Sequence, residues 1–303
     1  MNLVLFLTEK GHEVLSLDRN APSVLMKWKK VDITDADSLS GTVKTFDPEY
    51  IVHLAARTDL DGKSLEDYSA NTSGVLNLLK VLPELPSLKK ALITSSMLVC
   101  HIGYQPKDPF DYAPTTMYGK SKVETERLVW ANRPPCDWAI LRPTSIWGPY
   151  FNVPYRNFFT VIRNRRYFHI GNRSSTATYG FIGNAVYQIE QILFMPTPEE
   201  NRKIFYLGDY EPTNLEIWAN EIASERHDKI RKIPYWLLRC GGWAGDFLKL
   251  FGIAFPLTTF RLKNMTTDNI IDMENTRRMV PELPYTRREG IRLTLEWMDR
   301  QKL

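Results

Sequence analysis

The sequence predicts an α/β protein built on a doubly wound parallel sheet. Short apolar strands alternate with amphipathic helices through the first half of the chain, the pattern of a parallel sheet covered by helices on both faces. Residues 91–94 have the character of a buried strand and lead into Ser95-Ser96. A Tyr-x-x-x-Lys step, from Tyr118 to Lys122, follows on a predicted helix.

Each element of the first half has a local signal. Apolar residues at helical spacing predict a helix over 3–9, and Gly11 is its C-terminal stop. A second helix is predicted over 71–82, and the helix that carries Tyr118 starts near Pro114-Thr115-Thr116. The predicted strands are 14–17, which ends at Asp18, then 50–54, 91–94 and 138–141. After residue 141 the regular alternation loosens.

The Tyr118 to Lys122 step is the main candidate for catalysis. Residues four apart lie on one helix face, so the Lys122 ammonium can approach both the Tyr118 phenol and a cofactor ribose. A nearby positive charge lowers the pKa of a phenol, which makes Tyr118 a candidate general base, with Ser96 aligning the substrate oxygen. The spacing alone also fits a solvated helix face, and the preceding strand and its serines favour catalysis.

Asp18 ends the second strand that a dinucleotide-binding sheet should have. A carboxylate there can accept hydrogen bonds from both adenosine ribose hydroxyls, which favours NAD over its 2'-phosphorylated form. The neighbouring Arg19 leaves the phosphorylated form open, and a turn or N-cap aspartate is the alternative interpretation.

Composition narrows the function classes. A chain of 303 residues with 43% hydrophobic content can bury a full core, and a net charge of +4 without long basic runs argues against a nucleic-acid binder. The three cysteines are far apart, which indicates a reducing, cytoplasmic compartment. The five histidines show no ligand pattern, so no metal is expected. No signal peptide or membrane-spanning apolar run is visible.

Several motifs together carry a resemblance to a known family. They are Leu17-Asp18-Arg19, Val31-Asp32-Ile33, His53-Leu54-Ala55-Ala56, Asn71 with Gly74, Thr94-Ser95-Ser96, Tyr118-Gly119-Lys120-Ser121-Lys122, and Leu141-Arg142-Pro143 with Gly148-Pro149. With these motifs the chain resembles an extended short-chain dehydrogenase/reductase of the NAD-dependent epimerase/dehydratase family over nearly its whole length.

The resemblance implies a Rossmann-type fold and a role for each matching residue. Ser96, Tyr118 and Lys122 would perform the chemistry. The residues implied to contact the cofactor are Asp18, Asp32, Ile33, Leu54, Ala55, Ala56, Asn71, Tyr118, Lys122 and Pro143. The residues expected to contact the substrate are Ser96, Ser145, Arg156 and Arg173. Relatives commonly pair through two helices, so a homodimer is expected.

Departures from the family pattern narrow the reaction. Dehydratases of the family have Asp-Glu directly after the serine or threonine, whereas Met97-Leu98 stand here, so dehydration is not expected. Soluble UDP-sugar epimerases usually have an Arg-Asp pair where this chain has Ala177-Thr178. This difference weakens the expectation that the substrate is an ordinary UDP-sugar. The chain is more similar to the bacterial undecaprenyl-diphosphate N-acetylglucosamine 4-epimerase group through segments such as Arg142-Pro143-Thr144-Ser145-Ile146 and Ile233-Pro234-Tyr235.

The C-terminal half contains an apolar surface and a basic group. The apolar residues are Trp236, Leu237, Leu238, Trp243, Phe247, Leu248, Phe251 and Phe255. They either lie on a membrane surface, at the inner face of the cytoplasmic membrane, or are buried against their own domain. The basic residues are Arg156, Arg163, Arg165, Arg166 and Arg173, which suit a diphosphate or an anionic lipid, or form a solvated face.

Relatives have a strand and a Gly-x-x-Gly-x-x-Gly turn directly before the helix that begins here near Leu3. We therefore expect the first strand and the glycine turn to be absent from this chain, which would weaken NAD binding. The hypothesis is that Met1 is an internal methionine misread as the start, or that the chain was trimmed.

The expected domains are a dinucleotide-binding domain over 1–150 with a return segment near 175–195, and a substrate-binding domain over 151–174 and 196–303.

The leading functional hypothesis is an NAD-dependent sugar 4-epimerase that acts on a lipid- or nucleotide-linked hexose or N-acetylhexosamine in cell-surface polysaccharide biosynthesis. The alternative within the same family is an NAD(P)-dependent dehydrogenase or ketosugar reductase. An alternative of another class is a nucleotide-sensing or scaffold protein without catalysis.

Overall fold

The computed structural model divides the chain into two compact units. The described residues are 1–151, 153–171, 173–197, 203–250 and 266–303. The first unit consists of Met1–Thr144, Gly183–Gly208 and Asp272–Pro284, and the second of Ser145–Ile182, Asp209–Ile271 and Tyr285–Leu303. The assignment of cofactor and substrate to separate domains stays a prediction.

The first unit is built on parallel strands. Numbered in chain order over both units, its strands are β1 (Ser16–Asp18), β2 (Trp28–Lys30), β3 (Tyr50–His53), β4 (Lys90–Thr94), β5 (Asp137–Pro143) and β10 (Ile204–Leu207). A four-stranded sheet has the order β10-β5-β4-β3, and β1 pairs with β2 in a second sheet. All of these pairings are parallel, so the strands of the main sheet end at one common edge.

Helices flank the sheet of the first unit. They are α1 (Asn2–Glu9), α2 (Ala36–Phe46), α3 (Ser73–Val81), α4 (Met117–Asn132), α6 (Ile182–Phe194) and α9 (Glu274–Met279), with short 3-10 helices at Glu66–Asn71, Leu82–Glu84 and Met97–Val99. The main core joins apolar side chains of α2 and α3 to those of β4 and β5, such as Val43, Val75, Ile93 and Ile140. Every residue of β4 is buried, as expected for a central strand.

The second unit is built from short strand pairs and an aromatic core. Its elements are β6 (Ser145–Trp147) paired with β9 (Tyr179–Phe181), β7 (Phe168–Ile170) with β12 (Arg231–Ile233), β8 (Thr176–Ala177) with β11 (Thr213–Asn214), and the helices α5 (Tyr155–Arg163), α7 (Leu215–Ser224), α8 (Tyr235–Leu250) and α10 (Arg287–Arg300). Trp147 and Trp218 form the centre of the core, with ring centroids 5.2 Å apart.

The predicted fold class is confirmed, because a parallel sheet with alternating helices forms where the sequence places it. Three boundaries differ from the prediction by two residues. Strand β1 starts at Ser16 instead of residue 14, β5 ends at Pro143 instead of residue 141, and α3 starts at Ser73 because residues 66–71 form a 3-10 helix. The segment Asp272–Pro284 joins the first unit through Asn275 and Thr276, which donate hydrogen bonds to backbone carbonyls of β10 at 2.6 Å each.

Candidate active site

The start of α4 brings Tyr118 close to the segment that follows β4. Thr116 caps the helix, because its hydroxyl accepts a hydrogen bond from the Gly119 amide at 3.0 Å. A Cβ at Gly119 would collide with the Leu98 carbonyl oxygen, so glycine permits this close approach of helix and loop. Tyr118 lies directly before Gly119, on the first turn of α4.

The three predicted catalytic residues come together in the first unit. The Ser96 hydroxyl forms a hydrogen bond with the Tyr118 hydroxyl and also caps the 3-10 helix by accepting from the Leu98 amide at 3.1 Å. Lys122 donates from Nζ to the Thr94 carbonyl oxygen at 2.9 Å. All three side chains are buried, and Lys122 is only 1% exposed. The sequence order of strand, serine and helix thus produces one buried cluster beyond the carboxyl end of β4.

The acid-base properties of this cluster differ from the sequence-based expectation. Burial raises the pKa of Tyr118 above its usual 10, and the hydrogen bond from Ser96 lowers it only in part. Burial also lowers the pKa of Lys122 to about 8, against the raising effect of Glu126. The expected lowering of the Tyr118 pKa by Lys122 is absent in the protein alone, where the Lys122 ammonium donates to the Thr94 carbonyl. Ionisation of the phenol therefore needs a further positive charge at the site.

Sequence analysis missed a buried ionic network on the same helix. Glu126 and Arg142 form a bidentate pair at 2.8 and 2.7 Å, and both are at most 1% exposed. Ser95 donates to Glu126 at 2.6 Å, and Tyr112 donates to it at 2.8 Å. Glu126 lies one and two turns beyond Lys122 and Tyr118, so its position on their helix face was the signal that could have identified it. The network attaches α4 to β5.

His53 is a second residue without a predicted role of its own. It ends β3, is 4% exposed, and both of its ring nitrogens are buried without a hydrogen-bond partner. Burial, with a contribution from the Lys122 charge, lowers its pKa to about 3, so the ring is neutral at physiological pH. The neutral His53 ring therefore adds no second positive charge beside the Lys122 ammonium.

The predicted adenosine-side residues lie at the ends of β1 and β2. Asp18 is exposed at the last position of β1, where one of its oxygens accepts from the Asn20 amide at 2.8 Å. Asp32 follows β2 and accepts from the amide and hydroxyl of Thr34, which lowers the pKa of its carboxyl. Ile33 is half-buried against Gly74 at the start of α3.

Asn71 organises the loop after β3. Its side chain accepts from the Arg57 amide at 2.8 Å and donates to the Arg57 carbonyl at 3.0 Å, which fixes the chain directly after Ala56. It also donates to the Ser121 hydroxyl at 2.9 Å, on the helix of Tyr118 and Lys122. Leu54 is 46% exposed and Ala55 is exposed, so an apolar surface remains open at this edge of the sheet.

The other predicted site residues lie elsewhere. Pro143 ends β5 in the first unit and is half-buried. Ser145, Arg156 and Arg173 belong to the second unit, where Ser145 forms a hydrogen bond with Tyr155 and the Arg173 guanidinium stacks on the Tyr235 ring at 3.9 Å. Three of the four predicted substrate contacts are thus in a different unit from the cluster of Ser96, Tyr118 and Lys122.

Some members of the predicted basic group are paired, and some members of the predicted apolar surface are buried. Arg163 pairs with Asp299 at 2.6 Å and Arg165 with Asp228 at 2.7 Å. Leu238 is buried, as the core interpretation expects, and Leu248 is half-buried. The exposed members are Trp236, Leu237, Trp243 and Phe247, while Phe251 and Phe255 lie outside the described residues.

No described helix has both the length and the apolar content needed to cross a bilayer. Among the same residues, no group of three or more His, Cys, Asp or Glu side chains is arranged to hold a metal ion.

Comparison with known proteins agrees with this geometry. Residues 1–186 match the model of the NAD dependent epimerase/dehydratase family. The N-acetyl-alpha-D-glucosaminyl-diphospho-ditrans,octacis-undecaprenol 4-epimerase of Escherichia coli O157:H7 is 25% identical over 274 residues, which cover 88% of this chain and 82% of that protein.

Solved structures show that the fold is shared. The UDP-glucose 4-epimerase of Thermotoga maritima with UDP-glucose has a TM-score of 0.74 at 17% identity, over 100% of this chain and 96% of that one. The Bordetella bronchiseptica enzyme WbmG in complex with NAD and UDP has a TM-score of 0.74 at 18% identity, over 99% and 90%. The predicted Rossmann-type fold of the extended short-chain dehydrogenases/reductases is confirmed, and the chain belongs to the NAD dependent epimerase/dehydratase family.

Proposed function

We propose that this enzyme is an NAD-dependent sugar 4-epimerase that acts on a diphosphate-linked hexose or N-acetylhexosamine. The observation that carries the proposal is the buried cluster of Ser96, Tyr118 and Lys122 beyond the end of β4. The similarity over most of the chain to an epimerase of a diphosphate-linked N-acetylglucosamine supports the choice of reaction.

The residues around the cluster fit NAD. Asp18 presents an exposed carboxylate that suits ribose hydroxyls, and the open surface of Leu54 and Ala55 suits an apolar face of the cofactor. Asp32 and Ile33 lie in the loop after β2, which α3 contacts through a hydrogen bond to the Ile33 carbonyl. Ala56 lies in the loop after β3, which Asn71 holds. When bound, NAD would supply hydride acceptance and return together with a positive charge.

The protein's own groups would manage the proton and the substrate oxygen. Tyr118 would take the proton from the sugar C4 hydroxyl and return it after the sugar has turned over in the site. Ser96 would donate a hydrogen bond to the same oxygen. Lys122 would keep its ammonium between the Thr94 carbonyl and the ribose, and the positive charge supplied by bound NAD would favour the ionised form of Tyr118.

The finer features of the proposal concern setting and partners. Cys100, Cys136 and Cys240 are free thiols, which supports a reducing cytoplasmic setting. A diphosphate-linked sugar substrate implies a role in cell-surface polysaccharide biosynthesis. Ser145, Arg156 and Arg173 are proposed to contact this substrate, with the arginines facing its diphosphate. A homodimer is proposed as the assembly.

A product assay tests the proposed reaction. The full chain is incubated with NAD and with N-acetylglucosamine linked either to a polyprenyl diphosphate or to UDP, and the sugar epimers and NADH are measured. We expect exchange between the two C4 epimers without net NADH. Stoichiometric NADH would identify a dehydrogenase instead, and an unchanged sugar with both carriers would contradict the proposed function.

A further inference from the structure

Helix α8 of the second unit has its apolar side chains on the exposed face. Trp236, Cys240, Trp243 and Phe247 follow one another at intervals of four, three and four residues, so they form one stripe along the helix. Trp236 is 65%, Trp243 56% and Phe247 61% exposed, and Cys240 is exposed as well. We call these four residues the α8 stripe.

The opposite face of α8 explains why the stripe is outside. Leu238, Gly242 and Gly245 are buried, and Leu238 packs against Ile170 of β7. Among the residues of α8 whose burial is described, the buried ones are thus one leucine and two glycines, while the exposed tryptophans face away from them. An ordinary amphipathic helix has the reverse arrangement, so the exposed Trp236 and Trp243 mark a candidate contact surface.

Positive charge surrounds the start of the helix. The Arg239 guanidinium stacks on the Trp243 ring at 4.9 Å, and Arg231 is exposed at the start of β12. An open cavity of about 450 Å³ before α8 is lined by Gly171, Arg173, Lys232, Pro234 and Tyr235. Glu216 pairs with Lys232 at 2.7 Å and offsets part of this charge, whereas Arg173 stacks on Tyr235.

We propose that the α8 stripe docks on the surface of a bilayer that contains anionic phospholipid, with the cavity of Arg173 and Lys232 facing the headgroup phosphates. Tryptophan and phenylalanine beside arginine and lysine are the composition of helices that lie in the bilayer interface. The 16 residues of α8 are too few to span a bilayer, but they can lie along its surface. Charge complementarity favours a lipid surface over an uncharged apolar partner. If the proposed function holds, on which this last step rests, the docked surface selects a lipid-linked sugar over a nucleotide-linked one.

Vesicle sedimentation tests the docking. The full chain is mixed with phosphatidylcholine vesicles with and without phosphatidylglycerol. We expect binding that increases with phosphatidylglycerol and falls at high salt. The double variant W236S/W243S should bind at least about tenfold more weakly, because two large apolar surfaces no longer enter the interface. Arg173→Gln should reduce binding about fivefold on the anionic vesicles and leave it nearly unchanged on neutral ones.

Two controls make the result specific. Ile217→Ser removes an apolar side chain that is 53% exposed on α7 of the same unit, and it should bind vesicles like the wild type. Tyr118→Phe should also bind vesicles normally, so failure of the sugar assay and failure of the docking are separate outcomes. The proposal is overturned if the wild type binds neither vesicle, or if W236S/W243S binds as well as the wild type. It is also overturned if light scattering shows a dimer that W236S/W243S dissociates while vesicle binding is absent, because the stripe would then join two copies.

Discussion

Replacing Lys122 with methionine should remove activity without destabilising the protein. Burial lowers the pKa of Lys122 from 10.5 to about 8. At about 1.4 kcal/mol per pH unit, this difference corresponds to roughly 3 kcal/mol of unfavourable free energy for the buried ammonium at neutral pH. Methionine has a similar length and carries no charge, so this cost disappears. The Thr94 carbonyl loses its donor, which costs about 1 to 3 kcal/mol. Lys122→Met should therefore be as stable as the wild type or up to about 2 kcal/mol more stable at pH 7.

The pH dependence gives a sharper test of the same reasoning. In the unfolded chain Lys122 keeps its proton up to its ordinary pKa of 10.5, whereas the native protein releases it above about 8. The unfolded state therefore binds more protons between these values, and the contribution of Lys122 to wild-type stability becomes more favourable as pH rises through this window. The advantage of the methionine variant should shrink over the same window.

Urea unfolding at pH 7 and at pH 9.5 would measure both effects, because these two values, about 2.5 pH units apart, include more than half of the window from about 8 to 10.5. Lys120→Met is a matched control, because it makes the same replacement at an exposed position of the same helix. A loss of more than about 2 kcal/mol by Lys122→Met at pH 7, or a difference from the wild type that does not change with pH, would contradict the predicted cost of the buried ammonium.

Three further changes test the other features of the site. Glu126→Gln leaves the buried Arg142 charge unpaired and should lower the free energy of unfolding in urea by about 3 to 5 kcal/mol. The double variant E126Q/R142M should recover part of that loss. Additive losses from the two changes would contradict the pairing. His53 stays neutral down to about pH 3 in the native protein but gains a proton below pH 6.5 when unfolded. Its contribution should therefore lower the wild-type free energy of unfolding by up to about 1.4 kcal/mol per pH unit below 6.5. His53→Leu should lack this contribution when urea midpoints are compared from pH 6.5 to pH 5. Ser96→Ala should lower kcat about a hundredfold with little change in unfolding midpoint, and an unchanged kcat would remove Ser96 from the proposed chemistry.

The parts of the fold that the sequence predicts are those with strong local signals. Strand β4 is apolar over consecutive residues, and α4 has both a capping threonine and a predicted start, so both appear where they are expected. Strand β1 has three residues and little burial, so its boundary is poorly determined by pattern. In the second unit the strands have two or three residues each, too few for a period to be recognised.

The candidate site likewise contains residues that the sequence predicts and contacts that it does not predict. Ser96, Tyr118 and Lys122 are predictable because a strand end and a helix face bring them together. The pairing of Glu126 with Arg142 joins residues 16 positions apart on different elements, which no local pattern specifies. The direction of the Tyr118 pKa depends on how deeply the phenol is buried and on where the Lys122 ammonium points, and both are tertiary properties.

The proposal depends most on hydride transfer at the sugar C4 carbon with Tyr118 as the base. A diphosphate-linked N-acetylglucosamine that carries deuterium at C4 tests this directly by mass spectrometry of the epimerised product. We predict that the 4-epimer keeps its deuterium, and that Tyr118→Phe forms no epimer. Loss of the deuterium to water, or epimer formation by Tyr118→Phe at the wild-type rate, would contradict the proposed function.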